Sequence, residues 1–349
     1  MGSGFALGTQ EVQYFVRFGS SAFYFPIITM GILATVFYFA WEFQRLYHVT
    51  DYVSFFRTLF APAGSLFMTL YDIAFSITVV LAAGATLAGF GEAVLIGDRK
   101  QIDQALTSFS DTSFVKDILE AGSEEEKARI AVETVKQGGV LLKGTTKTSV
   151  LMKAALNKEW GLRTGATMTS VAAYEDERDG NKKLVLMSDG GIVVAPDLNM
   201  LVAIINNAVE VAHKLGNPNP KVAVLCAVEV VNPDMPETIN AAILAKMSER
   251  GQIKGCIVDG PLALDNAVSK YAAEKKGIKS PVAGDADILI CPGIAAGNIL
   301  GKSIEYYAHR SLAVVIVGAR APIMVPSRSD RAETKLNSIA LTILCSMQQ

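Results

Sequence analysis

The chain contains 349 residues, which is enough for two or more domains. Its 32 basic and 34 acidic residues almost cancel, which excludes a strongly basic nucleic-acid-binding protein, and the 50% hydrophobic content excludes a mainly disordered chain. The three histidines and four cysteines show neither metal-ligand nor disulfide spacing. We therefore expect no metal site, no nucleic-acid partner and the free thiols of a cytoplasmic protein.

The composition changes abruptly near Gly91. Residues 1–91 hold 21 of the 28 aromatic residues and only seven charged ones, whereas residues 92–349 have an ordinary globular balance. Residues 19–41 and 73–91 carry no charge, and a bilayer crossing needs roughly 20 apolar residues. We therefore predict a hydrophobic helical segment at 1–91, with two candidate transmembrane helices at 20–41 and 73–91, and a globular domain at 92–349. A pair of buried core helices is the alternative for residues 1–91.

The first residues resemble the start of a family of uncharacterised bacterial multi-span membrane proteins. The resemblance rests on Gly2 to Ala6, on Gln10-Glu11 and on Phe15 to Gly19. It implies membrane contact through residues 1–91, so the protein would be membrane-associated if this segment is native. Because the segment supplies only the first few spans, we do not expect transport by this chain alone.

Residues 92–349 alternate between short apolar runs and amphipathic stretches. The apolar runs predict strands at 93–97, 140–142, 184–187, 222–227, 256–258, 288–291 and 312–317. The amphipathic stretches, several of them closed by glycine, predict helices at 123–137, 198–215, 236–250, 262–276, 297–309 and 333–346. This order predicts an α/β fold with a largely parallel sheet, helices on both faces, and ligands beyond the carboxyl ends of the strands.

Three loops are rich in small and polar residues, at 143–149, 292–298 and 326–330. Glycine lets the backbone approach a ligand closely, hydroxyls and helix amides donate to phosphate oxygens, and arginine adds a bidentate clamp. Each loop alone is also compatible with a plain helix cap and turn. Neither the P-loop pattern nor a GxGxxG after a strand occurs, so nucleotide hydrolysis and dinucleotide binding are not predicted.

Longer runs resemble the phosphate acetyl/butyryltransferase family over residues 92–349. They lie at 156–165, 207–213, 227–266, 281–287, 296–298 and 327–340, and the run from Glu229 to Asn266 resembles the butyryl branch. The resemblance implies an open αβα sandwich of two subdomains, the isocitrate dehydrogenase-like architecture, with the active cleft between them. It also implies that this domain lacks the usual first strand and helix, which precede the match to Ala93 in other members.

The family reaction is acyl-CoA + phosphate ⇌ acyl phosphate + CoA, with CoA and phosphate as substrates and no cofactor. The resemblance implies that Arg328 clamps phosphate and that Ser327 hydrogen-bonds the carbonyl oxygen or phosphate. The family's proposed base falls on Thr334, and Glu333 is the nearest carboxylate. The same match implies substrate-binding roles for Gly144, Thr145, Thr148, Arg163, Asp265, Gly297 and Asn298. Alternatively, Arg163 ties two strands together and Asp265 caps its helix.

Two short segments depart from the butyryl pattern. Thr169-Ser170 stands where the family usually has Ser-His, and residues 188–191 read Ser-Asp-Gly-Gly where Thr-Asp-Ala-Ala is usual. These differences leave the preferred acyl group open. Cys256 and Cys291 fall in predicted strands, which favours a place in the core over a catalytic role.

Three functions are compatible with these features. The first is a phosphate acyltransferase, best matched to butyryl-CoA, that is fused to a membrane segment and forms a homo-oligomer. The second is a membrane-tethered domain that binds acyl-CoA without turnover, because its first subdomain is incomplete. The third is a fragment of a membrane transport protein with a regulatory soluble part. Ser327-Arg328 and Gly297-Asn298 favour the first, and the small number of candidate spans opposes the third.

Overall fold

The computed structural model describes residues 92–109, 111–178, 181–327 and 330–347. These residues belong to the second of the two units into which the chain divides, Thr86–Gln349. Both predicted membrane spans lie outside the described residues, and so does Arg328. Within the described ranges, no helix combines the length and apolar character that a membrane crossing requires.

Strands and helices alternate along the described residues, which confirms the α/β prediction. The ten strands there are β1 (Ala93–Gly97), β2 (Val115–Glu120), β3 (Leu141–Leu142), β4 (Thr169–Arg178), β5 (Asn181–Ser188), β6 (Lys221–Leu225), β7 (Ile257–Leu262), β8 (Ile288–Ile290), β9 (Leu312–Val317) and β10 (Ile323–Met324). The nine helices there are α1 (Arg99–Leu106), α2 (Glu124–Val135), α3 (Thr148–Ala155), α4 (Leu198–Lys214), α5 (Pro236–Glu249), α6 (Leu264–Val268), α7 (Lys270–Lys275), α8 (Ile294–Tyr306) and α9 (Ala332–Ser346).

The main sheet is mixed, with four of its seven strand pairings parallel, so the prediction of a largely parallel sheet holds for only part of it. Its order is β3-β10-β9-β4-β5-β8-β6-β7. The run β5-β8-β6-β7 is parallel, but β4 is antiparallel to both β5 and β9, and β9 is antiparallel to β10. The sequence pattern misses β4 because its second half, from Glu175 to Arg178, is charged and breaks the apolar run.

Strands β1 and β2 form a separate parallel sheet. Among the described strands, β1 pairs with β2 alone and β3 pairs with β10 alone. Helix α2 contacts both β1 and β3, which connects the small sheet to the large one. The predicted lack of a strand and helix before Ala93 concerns residues ahead of the described ranges, and it stays a prediction.

Each face of the main sheet packs against its own apolar core. This agrees with the prediction that helices cover both faces of the sheet. Val171 and Ala173 of β4 pack with α4, α5 and α9, whereas Ala172 and Tyr174 pack with α6 and α8. Successive residues of a strand point to opposite faces, so these two cores lie on opposite sides of the sheet. A third core joins α2 and α3 to β3 and β10.

Two helices have other bounds than the sequence predicts. The predicted helix at 262–276 is interrupted, because Ser269 has extended backbone angles (φ −122°, ψ 117°) and its side chain caps α7. Helix α8 begins at Ile294, so Gly297 lies inside its first turn. The Gly297 N–H donates to the Gly293 carbonyl at 3.1 Å, and the free amides of this helix therefore precede Gly297.

Four charged residues cluster where β5, β6 and β8 begin. The Lys183 Nζ lies 2.9 Å from Asp285 Oδ1 and 2.8 Å from Asp287 Oδ1, and the Lys221 Nζ lies 2.6 Å from Asp285 Oδ2. The backbone N–H of Lys221 donates to Asp287 Oδ2 at 2.7 Å. Burial raises the pKa of Asp285, but hydrogen bonds and charge from Lys183 and Lys221 outweigh it and lower this pKa to about 2.

The substitution Asp285→Asn should destabilise the domain at pH 7 and have little effect near pH 2. A carboxyl whose folded pKa is depressed contributes stability above its unfolded pKa, and that stability is lost as pH falls toward the folded value. Because the Asp285 side chain is 39% exposed, we expect on the order of 1 kcal/mol after screening by solvent. Urea unfolding between pH 2 and 7 measures the difference, with Glu175→Gln in the exposed Lys182 pair as control. A pH-independent difference would contradict this account.

Candidate active site

The predicted site loops fall into two groups, because the strands before them run in opposite directions. Strands β3 and β10 are parallel to each other, and the chain of pairings through β9 and β4 makes them antiparallel to β5 and β8. The loops after β3 and β10 therefore leave one edge of the sheet, and the loops after β5 and β8 leave the opposite edge.

At the edge where β5 and β8 end, a buried carboxylate organises the loop after β5. Asp189 is 2% exposed, and its Oδ1 accepts from the Ser170 hydroxyl at 2.7 Å and from the backbone of Gly191 and Ile192 at 2.6 and 2.8 Å. Its Oδ2 accepts from the Ser170 N–H at 2.8 Å. A carboxylate that is buried with several donors holds a loop rigidly, since each such hydrogen bond is strengthened by the charge.

The start of α8 sits directly on this loop. A Cβ added to Gly297 would lie 2.3 Å from the Asp189 carbonyl oxygen and 2.8 Å from the Gly190 Cα, so only glycine fits there. The Asn298 side-chain amide donates to the Gly190 carbonyl at 3.3 Å. The two predicted residues Gly297 and Asn298 therefore fix the helix to the loop. The Ile294 N–H donates to the Val194 carbonyl at 3.2 Å, so the amides of the first turn that face solvent belong to the exposed residues Ala295 and Ala296.

At the opposite edge, the loops after β3 and β10 lie side by side. The Lys143 N–H donates to the Met324 carbonyl at 3.0 Å, which continues the pairing of the two strands into the loops. Gly144, Thr145 and Thr148 are all exposed. An added Cβ at Gly144 would meet no atom within 4 Å. Thr148 is the first residue of α3, so hydroxyls and free helix amides share this surface.

After β10, two hydrogen bonds between the described residues Ser327 and Asp330 define a turn, called here the Ser327–Asp330 turn. The Ser327 N–H donates to Asp330 Oδ2 at 2.7 Å, and the Asp330 N–H donates to the Ser327 carbonyl at 3.3 Å. Lys302 of α8 places its Nζ 3.8 Å from Asp330 Oδ1. Helix α8 thus contacts both groups of loops, and Lys302 follows Gly297 by only about 7.5 Å along the helix axis.

Three predicted residues lie apart from this arrangement. Arg163 is exposed in the loop between α3 and β4. Asp265 lies in the first turn of α6 and pairs with Lys276 at 3.3 Å, and the alternative that it caps this helix is wrong, because the N-cap is Ala263 and no side chain caps it. Glu333, in the first turn of α9, lines a cavity of about 600 Å³ together with His309 and Arg310, and no other predicted site residue lines that cavity.

The position that matches the family's base is occupied by a buried hydroxyl. Thr334 is 2% exposed, and its Oγ1 has no hydrogen-bond partner. Its neighbour Glu333 is exposed. Thr334 cannot accept a proton at neutral pH, and Glu333 is the acidic residue in the first turn of α9.

The cysteines belong to the core or its edges. Burial, together with the nearby charge of Asp189, raises the pKa of Cys291 to about 12. Burial raises the pKa of Cys256 to about 11. Both thiols are therefore protonated at neutral pH and unsuited to nucleophilic attack. The described residues contain no cluster of three or more histidine, cysteine or acidic side chains that could hold a metal ion.

Two contacts at the site are not evident from local sequence. The Ser170–Asp189 pair joins the two segments that depart from the butyryl pattern, so these departures form one structural unit. The contact of Lys302 with Asp330 joins helix α8 to the loop between β10 and α9. No periodic pattern indicates either pair, and only the unusual residues at 170 and 188–191 hint at the first.

Comparisons with known proteins match most of the predicted globular domain at residues 92–349. Residues 115–343 match the family described as phosphate acetyl/butaryl (butyryl) transferase. The chain is 50% identical over 270 residues to a probable phosphate butyryltransferase of Bacillus subtilis, which covers 77% of this chain and 88% of that protein. It is 48% identical over 253 residues to a phosphate acetyltransferase of Thermotoga maritima, with 72% and 85% covered. A branched-chain phosphotransacylase structure from Enterococcus faecalis is 31% identical, covers 74% of this chain and 100% of that one, and gives a TM-score of 0.64.

The substitution Gly297→Ala should lower both stability and activity. The added methyl group would overlap backbone atoms of Asp189 and Gly190, which cannot move without breaking the carboxylate contacts. We expect a loss of about 3 kcal/mol, the upper end for overpacking, despite the helix preference for alanine. Gly301→Ala on the same helix is the control, because its added Cβ meets only the flexible end of Met187 at 3.1 Å. Equal melting temperatures for the two variants would contradict the close contact.

Proposed function

Because the chain belongs to the phosphate acetyl/butyryl transferase family, we propose that it transfers an acyl group between CoA and phosphate. The observation that carries this proposal is the family match over residues 115–343, which includes the loops at both edges of the sheet. The reaction is acyl-CoA + phosphate ⇌ acyl phosphate + CoA, with CoA and phosphate as substrates. We propose no separate cofactor.

In the proposed mechanism, a phosphate oxygen attacks the thioester carbonyl carbon, the new C–O bond forms, and the C–S bond breaks. The leaving thiolate takes up a proton or remains paired with a positive group. No covalent enzyme intermediate is needed, because holding the two anions in line supplies much of the rate. The charge that develops on the carbonyl oxygen needs a preorganised donor, which we assign to Ser327, while Arg328 clamps the phosphate.

The remaining predicted residues receive positions in this proposal. Gly144, Thr145 and Thr148 would bind phosphate oxygens through hydroxyls and helix amides, next to the turn that carries Ser327. Gly297 and Asn298 would present the start of α8 to the acyl-CoA. Arg163 and Asp265 would contact CoA farther from the reacting atoms. Glu333 would accept the proton of the CoA thiol in the reverse reaction and return it to the leaving thiolate in the forward reaction, although its cavity contains none of the other assigned groups.

The proposed acyl group is butyryl. Identity alone does not decide this, because a probable butyryltransferase and an acetyltransferase match the chain at 50% and 48%. The support comes from the butyryl-like run Glu229–Asn266 and from the coverage of the butyryltransferase relative. The Ser170–Asp189 unit replaces the usual pattern near α8, so branched or longer chains belong in the same assay.

A second candidate function is acyl-CoA binding without turnover. The observation that favours it is the separation of β1–β2 from the main sheet, which leaves β1 and β3 each with one described neighbour. Incomplete pairing of these strands would loosen the loop after β3 and weaken phosphate binding. This candidate predicts acyl-CoA binding by calorimetry with no phosphate-dependent release of CoA.

The oligomeric state and membrane contact also belong to the proposal. Val230 and Val231 are 61% and 54% exposed, and Ile239 and Ile243 of α5 lie nearby in the sequence with 38% and 39% exposure. Such an apolar surface supports a homo-oligomer through α5, and light scattering should give at least twice the chain mass. We further propose that the acyltransferase domain is cytoplasmic and that residues 1–91 provide the membrane contact.

The function is tested by phosphate-dependent CoA release from acetyl-, butyryl- and isobutyryl-CoA, followed as free thiol. We expect release that requires phosphate, prefers a four-carbon chain and survives chelation of divalent metal. A strong preference for acetyl-CoA would refute the butyryl assignment. Loss of activity with a chelator would refute the metal-free mechanism, and release without phosphate would refute acyl transfer to phosphate.

The substitution Arg328→Ala should abolish most turnover, and Arg328→Lys should not restore it. Lysine keeps the positive charge but loses the planar fork that binds phosphate in a bidentate manner. We expect a loss of about 3–4 kcal/mol in transition-state stabilisation, or roughly 10²- to 10³-fold in rate. Steady-state kinetics measures the loss, with Arg129→Lys in the exposed pair with Glu133 as control. A lysine variant with near-normal turnover would remove Arg328 from the site.

A further inference from the structure

We propose that Lys302 is a positioning residue that neutralises Asp330, the carboxylate that accepts from the Ser327 N–H, and thereby allows phosphate to bind beside Ser327. The inference rests on the proposed function, because it takes Ser327 as part of the phosphate site. Lys302 lies on α8 and was not among the residues that the sequence indicates. Its action on the reaction is indirect, through the Asp330 side chain that caps the Ser327–Asp330 turn.

The contacts form a continuous chain from the helix to the turn. The Lys302 Nζ donates to Glu305 Oε2 at 2.9 Å and lies 3.8 Å from Asp330 Oδ1. The other oxygen of Asp330, Oδ2, accepts from the Ser327 N–H at 2.7 Å. The Lys302 Nζ also lies 5.7 Å from the centre of the Tyr306 ring. The ammonium group is thus held on several sides while its side chain remains 43% exposed.

Burial distinguishes this group from ordinary surface ion pairs. The Glu305 side chain is 4% exposed, and its Oε1 has no hydrogen-bond partner, so Lys302 is the charged group that compensates this buried carboxylate. The Asp330 side chain is 14% exposed. By contrast, the Lys246–Glu249 pair has the same spacing on α5, but both side chains are about 60% exposed, at 59% and 64%. A pair of that kind contributes little.

The charge of Asp330 explains why a lysine is needed here. A carboxylate is a good cap for the Ser327 N–H, but it places a negative charge on the turn that is proposed to receive phosphate. A second anion nearby would repel phosphate, and the repulsion is strong where solvent is partly excluded. Lys302 offsets the Asp330 charge without occupying the turn. The cap and the anion site can therefore coexist.

This arrangement predicts a rescue that a purely structural role would not produce. Lys302→Met should raise the KM for phosphate about tenfold and leave the KM for acyl-CoA within about twofold, because it exposes the Asp330 charge. Asp330→Asn keeps an oxygen that can accept from Ser327 and removes the charge. The double variant should therefore return the phosphate KM to within about threefold of wild type, a coupling that only interacting residues show. Lys302→Arg should behave almost as wild type.

The experiment compares these four variants with Lys246→Met, the matched control on α5, by initial rates with each substrate varied in turn. Melting temperatures are recorded for all variants. If Lys302→Met does not fold, Asp330→Asn still tests the inference. The Asp330→Asn variant should have a phosphate KM near the wild-type value. An unchanged phosphate KM in a folded Lys302→Met, or a double variant no better than that single variant, would overturn the inference. A raised phosphate KM in Asp330→Asn would also overturn it.

A separate variant distinguishes failure of the inference from failure of the proposed site. Ser327→Ala should reduce turnover at least tenfold if Ser327 supports the reacting groups. Normal turnover of Ser327→Ala would reject the site assignment itself. Impaired Ser327→Ala together with a normal Lys302→Met would leave the site in place and reject only the positioning role of Lys302.

Discussion

The close packing of Gly297 against the backbone of Asp189 determines where α8 can lie, and the site depends on that helix. The contact leaves no room for a β-carbon, so the start of α8 is fixed to the loop after β5. The Asp189 carboxylate fixes the loop in turn by accepting from Ser170, Gly191 and Ile192. A helix that is held this rigidly at one end can position a side chain farther along, and Lys302 is that side chain.

Strand direction makes such a connection necessary. A wholly parallel sheet would bring all predicted loops to one edge, but β3, β4 and β10 run opposite to the other strands of the main sheet and divide the loops between two edges. Helix α8 contacts both groups within about two turns, through Gly297 at one point and Lys302 at the other. In the proposed reaction, acyl-CoA and phosphate are two anions that must meet, and a rigid helix between their loops sets the distance between them.

The sequence was most informative where structure is local. Apolar runs predicted β1, β8 and β9, and the Gly216-terminated stretch predicted α4, because burial in a sheet or under a helix requires those patterns. It failed at β4, whose charged end hides the strand, and at Ser269, where a cap divides a helix. Among the predicted site residues that the structure describes, some lie in exposed loops (Gly144, Thr145 and Arg163) and others in the first turn of a helix (Thr148, Gly297 and Glu333). The pairs Ser170–Asp189 and Lys302–Asp330 could not be predicted, since they depend on which distant segments the fold brings together.

The most direct test of this account is a structure of the full chain with phosphate and an unreactive thioether analogue of butyryl-CoA. The account predicts phosphate within hydrogen-bond distance of Ser327 and of the loop at Gly144, and the sulfur of the analogue between the Ser327–Asp330 turn and the start of α8. It also predicts that Lys302 still contacts Asp330. Phosphate bound in the cavity of Glu333 and His309, with none at Ser327, would contradict the central claim that α8 joins both groups of loops into one active site.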